Sequence, residues 1–276
     1  MTTTLPKHSS ARPPVVTFER RPLERLLAPL EAQAQSSACL ISRSLGRFES
    51  AGRAYNLPRY VYLGPKGGGD TIRIGIFATL HGDEPEGALA LTRFVSVLEG
   101  NPKIAKGYTL FLYPICNPTG FEDNTRGSRN GKDLNREFWT ESLEPEIRHL
   151  ESEICMHAFD GIITLHSDNT SHGLYGFVSG AVLSENLLEP ALREAERFLP
   201  RNRQRVIDGF AARRGIITQS YPGVLKALPG LPRPPFEITL ETPQKAPLHR
   251  QVEALVAALQ TILIEYRYLI AIGQNI

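Results

Sequence analysis

Apolar and polar positions along this chain switch between a helical and a strand period, and the switches set out a succession of elements. Leu23, Leu26, Leu27 and Leu30 form a helical stripe within residues 19–35, with Pro22 near its start. Residues 59–63 predict a short strand, and Gly67-Gly68-Gly69-Asp70 a turn. The β-branched run at 71–79 predicts a buried central strand ending at His81. A helix over 84–99 follows, with Pro85 in its first turn. Residues 108–116 predict a strand that ends at Asn117-Pro118, and 119–132 a polar, glycine-rich loop of the length usually kept for function. A helix over 142–159, a strand over 161–165 ending at His166, a strand over 174–178 and a helix over 183–199 continue the pattern. Residues 216–218 predict part of a strand, 221–235 a proline-rich loop, 236–240 a strand ending at Glu241, and 248–270 a closing helix.

Alternating strands and helices predict an α/β protein with a largely parallel sheet covered on both faces. The 276 residues suffice for one large domain, expected over 18–276, behind a disordered polar tail at 1–17. A net charge of +2 without a clustered basic patch argues against nucleic-acid binding. Arginines between 201 and 214 are interrupted by apolar residues and predict a solvated face. Cys39, Cys116 and Cys155 are odd in number and flanked by apolar residues, which predicts buried thiols in a reducing compartment. The N-terminus lacks the apolar core of a secretory signal, and no uninterrupted apolar run is long enough to span a bilayer. A cytoplasmic protein without a membrane partner is the expectation.

His81, His166 and Glu241 each follow a predicted strand, and the loop carrying Arg126, Arg129, Asn135 and Arg136 follows another. Ligands of open α/β sheets bind beyond the carboxyl ends of strands, so these groups can converge. A catalytic zinc takes three imidazole or carboxylate ligands and leaves a position for water. His81 and Glu84, three residues apart after a buried strand, suit two of these places, and His166 the third. Taken alone, each has a plainer reading: a carboxylate at a helix N-terminus, or a hydrogen-bonded histidine. Glu241 suits the base that takes a proton from the attacking water. Arg126 or Arg129 could stabilise the resulting oxyanion, and Arg136, aided by Asn135, could grip a substrate carboxylate through two parallel hydrogen bonds. Glu237, four residues before Glu241 on the same face, lies too deep for the base.

The order His81-x-x-Glu84, Asn117-Pro118-x-Gly120, Arg126, Gly131-x-Asp133-Leu134-Asn135-Arg136-x-Phe138, His166 and Glu241 resembles the M14 zinc carboxypeptidase-like family. The resemblance runs from about residue 70 to 245. It implies a three-layer α/β/α sandwich around a mixed, mostly parallel eight-stranded sheet. One zinc held by His81, Glu84 and His166 is implied, with Glu241 as base and acid. Arg126 would polarise the scissile carbonyl, Arg129 being its alternative, and Asn135 with Arg136 would hold the terminal carboxylate. Tyr221 stands where the family places a mobile tyrosine over substrate. His81-Gly-Asp-Glu84 is most similar to the branch of murein-peptide amidases and the succinylglutamate desuccinylase/aspartoacylase group. Only 35 residues follow Glu241, and they predict one helix rather than the β-rich region of the desuccinylases, which favours a compact peptidase.

Departures bear on specificity. Thr119 replaces an aspartate common in the family, and Glu137 sets a negative charge beside the expected carboxylate anchor. Lys226, in the loop with Tyr221, would favour an acidic side chain. The reading is a zinc-dependent hydrolase acting on a small peptide or acyl-amino-acid, next to a residue with a free carboxylate. Its alternatives are an N-acyl-amino-acid deacylase, a two-metal site using Asp168 or His172, and a binding protein that keeps the fold without catalysis.

Overall fold

The computed structural model describes residues 20–179 and 183–273; the expected tail at 1–17 lies outside them. The elements run α1 (Leu23–Ser36), β1 (Leu40–Ser50), β2 (Arg53–Leu63), β3 (Ile72–Ala78), α2 (Glu86–Gly100), β4 (Tyr108–Tyr113), α3 (Pro118–Asp123) and α4 (Pro145–His157). Then come β5 (Gly161–Asp168), β6 (Tyr175–Val178), α5 (Glu189–Ala195), β7 (Val206–Ile207), β8 (Phe210–Ala211), β9 (Ile216–Ile217), β10 (Phe236–Pro243) and α6 (Leu248–Gly273).

Eight strands form one mixed sheet in the order β1-β2-β4-β3-β5-β10-β6-β9, while β7 and β8 make a separate hairpin. Its centre, β4-β3-β5-β10, is parallel, and its flanks are antiparallel except for the β6–β9 pair. The central strands are buried on both faces, which explains their unbroken apolar runs. Ile74 and Ile76 of β3 face one core, shared with Phe94 of α2, Leu192 of α5 and Leu259 of α6. Phe77, on the opposite face, joins Tyr113, Leu134, Phe138, Ile147, Leu150 and Ile154 in a second core under α4. Helices on both faces make this the expected α/β/α sandwich.

From β3 the chain passes through α2 to β4 on one side, and from β4 through α4 to β5 on the other. The connections therefore diverge at the β3–β5 boundary and leave a crevice at the carboxyl ends of those strands. β5 and β10 each run three residues further than their apolar runs, so His166 and Glu241 lie within strands, paired in register with each other.

Several local expectations change. The polar stretch 118–123 is a buried helix, α3, capped by the Asn117 side chain. β1 replaces a stretch without an assigned element, and β2 extends six residues further back than the predicted strand. Cys116 is buried and its thiol is pushed up by burial, but Cys39 is half-buried and Cys155 exposed; all three are free thiols. α6 is long and apolar enough to cross a membrane by length and composition, although no single run in it is uninterrupted. Ala254, Leu255, Leu259, Ile262 and Leu263 of α6 pack into the first core.

Candidate metal centre

His81 and Glu84 are brought together by a tight turn after β3. Thr79 enters it at φ 53°, a left-handed conformation that a β-branched residue rarely adopts. Backbone strain of this kind persists where the surroundings over-determine it. Here the Thr79 carbonyl accepts from Asn117 N, and the Thr79 hydroxyl donates to the Glu84 carbonyl. Gly82 lies so close to Gly120 that a Cβ would stand 2.0 Å from the Gly120 carbonyl carbon. That contact seats the turn on α3. Asn117 completes the seat, its amide donating to the Leu80 carbonyl while its side-chain oxygen caps Gly120 N.

His81, Glu84 and His166 are all buried and present ligand atoms within 4.8 Å of one another, the sole such trio of histidine, cysteine or carboxylate groups among the described residues. His81 Nδ1 lies 2.7 Å from Glu84 Oε1, and His166 Nδ1 lies 3.0 Å from Glu84 Oε2. The two Nδ1 atoms are 3.2 Å apart. Two nitrogens bound tetrahedrally at zinc distances stand about 3.3 Å from each other. The donor set and its spacing therefore fit one such ion.

The three groups also shift one another's protonation. Burial opposes a charge on His81, yet Glu84 and Asp133 raise its pKa to about 9. Burial would raise Glu84, but the two imidazoles hold it down at about 2. Burial lowers His166. Asp133 supplies an outer contact missed in the sequence: its Oδ1 lies 3.1 Å from His81 Nε2, and Oδ2 accepts from Arg126 Nε at 3.2 Å. Such a carboxylate fixes the imidazole so that its other nitrogen points at the metal. A polar loop returning an aspartate two residues before Asn135 was the available signal.

A cavity of about 280 Å³ opens above this centre. Its walls include His81, Glu84, Arg126, Asn135, Arg136 and Glu241, together with Asp168, Tyr175, Asp208, Tyr221 and Leu225. Glu241 sits beside His166 on one side and Tyr175 on the other. Burial first, then Glu84, Asp168 and Asp208, push its carboxyl well above the usual range, against Arg126. Arg126 is half exposed, with Nη1 3.6 Å from Glu84 Oε1. Arg136 lies with its guanidinium 4.3 Å from the centre of the Tyr221 ring and donates to the Asn135 carbonyl at 2.7 Å.

Other expected residues are placed differently. Arg129 does not reach the cavity: its guanidinium is held by Asp123 at 2.6 and 2.8 Å, by Glu122 at 3.2 Å and by the Tyr55 hydroxyl. The Asn135 side chain lies 3.4 Å from His166 Nε2, and its oxygen accepts from Leu225 N, so it braces the site as well as lining it. Glu137 turns away from Arg136 to accept from Ser142 and face Lys132. Lys226 is not part of the cavity wall; its carbonyl accepts from the Trp139 indole, and its charge lies near Glu237. Glu237 anchors the same loop by accepting from Ala227 N. Asp168 spends its oxygens on Thr170 and the Tyr175 hydroxyl, and His172 is exposed outside the cavity. Neither joins the His81, Glu84 and His166 trio. Gly223, at φ 69°, lets the 221–225 loop lie on the Arg136 backbone, where a Cβ would stand 2.2 Å from the Arg136 carbonyl oxygen.

With this geometry, the chain's similarities become informative. Residues 70–205 match the model of the succinylglutamate desuccinylase/aspartoacylase catalytic domain. The match spans His81, Glu84, His166, Arg126 and Arg136 and stops before Tyr221 and Glu241. No protein with a curated description matches the chain by sequence. Among solved structures, a Shewanella amazonensis protein provisionally named a metallopeptidase superposes with a TM-score of 0.74 at 22% identity, covering 87% of this chain and 92% of that one. A metallo-carboxypeptidase from Burkholderia cenocepacia has a TM-score of 0.71 at 19% identity, covering 91% of this chain and 71% of its own. The metallo-carboxypeptidase of Pseudomonas aeruginosa, solved with (2-guanidinoethylmercapto)succinic acid, has a TM-score of 0.63 at 19% identity, covering 90% and 69%. Identities this low speak to the fold. Residues 70–205 are thus similar to the succinylglutamate desuccinylase/aspartoacylase catalytic domain, and the chain has a metallocarboxypeptidase-like fold.

Proposed function

We propose that this protein is a zinc-dependent hydrolase that cleaves an amide bond next to a residue bearing a free carboxylate. The observation that carries the reading is the convergence of a buried His-Glu-His trio, a desolvated glutamate and two arginines on one cavity. Zinc held by His81, Glu84 and His166 would supply Lewis acidity toward water and the scissile carbonyl.

The remaining chemistry belongs to the chain. Glu241, whose carboxyl is held high by burial, is suited to accept a proton from water and return it to the leaving amine. Arg126, lying against Glu84 and Asp133, is placed to share the charge that develops on the carbonyl oxygen. Arg136, flat against Tyr221, presents the planar fork that pairs with a carboxylate. Asn135 braces His166 and the 225 loop, and Tyr221 covers the cavity from the side of the hairpin.

A second reading, an N-acyl-amino-acid deacylase, is favoured by the family match over residues 70–205. The two part in the acyl side: a peptidase needs an oligopeptide, and a deacylase prefers a small acyl group. The test loads the wild type and Glu241→Gln with zinc, measures metal content, and assays N-acyl dipeptides beside N-acetyl- and N-succinyl-amino acids. About one zinc per chain in both proteins is expected, with turnover at least about a thousandfold lower in the variant. Wild-type turnover retained in Glu241→Gln would remove the proposed base, and failure to bind zinc would remove the hydrolase reading.

A further inference from the structure

Most carbonyl groups of the turn that carries His81 and Glu84 are closed from nearby. Asn117 donates to those of Thr79 and Leu80, Glu84 N to that of His81, and the Thr79 hydroxyl to that of Glu84. The Gly82 carbonyl, between the two side chains that face each other, is met from elsewhere. It accepts from the Arg21 guanidinium, which arrives from just before α1. The same guanidinium donates through Nε to the Phe121 carbonyl at 2.7 Å and lies 4.1 Å from the centre of the Phe121 ring. One planar group thus ties the turn to α3. Gly82 N, for its part, donates to the Arg126 carbonyl at 3.2 Å.

Arg21 is itself held in place. Its backbone N–H donates to the Glu122 carbonyl at 2.9 Å, and Pro22 disfavours helical backbone at Arg21. α1 behind it is docked on α2 through Gln33, which donates to the Ser96 hydroxyl at 2.7 Å. Burial lowers the Arg21 pKa, while Asp83 and Glu86 act against that. Its charge therefore faces a stretch that carries three carboxylates, Asp83, Glu84 and Glu86, within four residues. Docking of the N-terminal segment on α3 explains the contacts with Phe121 and Glu122. It does not explain a second donor spent on the carbonyl between His81 and Glu84.

We infer that Arg21 is a positioning residue for the metal centre: its paired hydrogen bonds to Gly82 and Phe121 hold the turn so that His81 and Glu84 already converge before an ion binds. This rests on the reading of His81, Glu84 and His166 as metal ligands, and it adds a group from outside residues 70–205. The Gly82 carbonyl belongs to a peptide unit between the two side chains, so rotation of that unit swings one relative to the other. The left-handed backbone at Thr79 persists only while its surroundings hold it. A turn that keeps the competent geometry for only a fraction of the time binds its ion more weakly by that fraction.

Zinc affinity of the full chain, measured by competition with a chromophoric chelator, tests this in the wild type, Arg21→Met, Arg21→Lys and Arg20→Ala, with thermal unfolding of the metal-free proteins recorded alongside. Methionine keeps an unbranched side chain against Phe121 but donates no hydrogen bond. Lysine keeps the charge but lacks the planar pair of donors. Arg20 belongs to the same segment and faces Asp123 at 3.5 Å instead of the turn. We expect the zinc Kd to rise about ten- to a hundredfold in Arg21→Met and about threefold or more in Arg21→Lys, and to stay within about twofold in Arg20→Ala. Wild-type affinity in either Arg21 variant overturns the proposal and leaves the metal centre standing; a lowered Tm without a change in affinity would mean that Arg21 only docks the N-terminal segment. An equal loss of affinity in Arg20→Ala overturns it as well, because the effect would then belong to the segment as a whole. Should Arg21→Met fail to fold, Arg21→Lys decides by the same criterion. A wild type that binds no zinc removes the metal centre, and the role of Arg21 with it.

Discussion

The segment from Pro118 to Arg136 has two sides, and its two central arginines show how differently they are built. Arg129 points toward β2, is largely buried, and is met by Asp123, Glu122 and Tyr55. Arg53 adds a second cation against Glu122, whose side chain is almost wholly buried. Three residues earlier, Arg126 points the other way, stays half exposed, and sits against Glu84 and Asp133 with room beside it. On one side charge is matched by charge until little is left unpaired. On the other, carboxylates and imidazoles crowd around a gap and the arginines remain open to the cavity. The first arrangement clamps the segment, and the second leaves potential for a ligand.

The sharpest way to break this contrast is to remove a group from the open side. His166→Ala takes away one of three metal-facing atoms. Metal content, measured by elemental analysis after zinc loading, should fall from about one per chain to near zero, and turnover by about four orders of magnitude. Full zinc retention would mean that another group completes the site.

Next in size is the paired comparison of the arginines themselves. Arg126→Ala should lower kcat about a hundredfold or more, with little change in thermal stability. Arg129→Ala should do the reverse. It strips a buried carboxylate of a partner and should cost about 3 kcal/mol, read as a fall in Tm or in the denaturant midpoint. Like effects of the two variants on stability and turnover would erase the distinction between clamp and cavity.

The smallest effect concerns Glu146, buried at the start of α4 with Oε2 lacking a hydrogen-bond partner. Burial, with Glu144 adding to it, raises its pKa to about 7. The folded state therefore holds this proton more tightly than the unfolded chain. Stability from this group is present below about pH 4.5 and is lost as pH rises toward 7. Glu146→Gln removes the penalty, so its stability relative to the wild type should rise across that window and level off above pH 7, by at most about 3 kcal/mol. A flat difference between pH 4.5 and 8 would show that Glu146 ionises normally.

Much of the frame was legible because the central strands are buried on both faces and read as continuous apolar runs, and because α2, α4 and α6 carry clear helical stripes. The ends of β3, β5 and β10 located His81, His166 and Glu241 for the same reason. What escaped lies where burial is polar or alternates weakly. β1, with arginines, serines and a register shift near Gly46, has no clean two-residue period. α3 buries Thr119 and Glu122, which look like loop residues in sequence. The fates of Arg126, Arg129, Glu137 and Lys226 could not be told apart by type, because each was decided by distant partners such as Tyr55, Ser142 and Trp139. Asp208 stood in a dipeptide that turn chemistry alone explains, which hid its place in the wall.

The register pairing of His166 with Glu241 has a consequence for how such a protein can change. The proposed metal ligand His166 and the proposed base are spaced by the hydrogen-bond ladder of two neighbouring parallel strands, so their separation is set by backbone rather than by loops. The hairpin at 206–211 and the loop at 221–235 lie outside that ladder and line the cavity through Asp208 and through Tyr221, Val224 and Leu225. On the proposed hydrolase reading, reactivity and molecular choice are thus inherited on separate parts, and rewriting the rim would yield new selectivities while the reacting core stays where the sheet holds it.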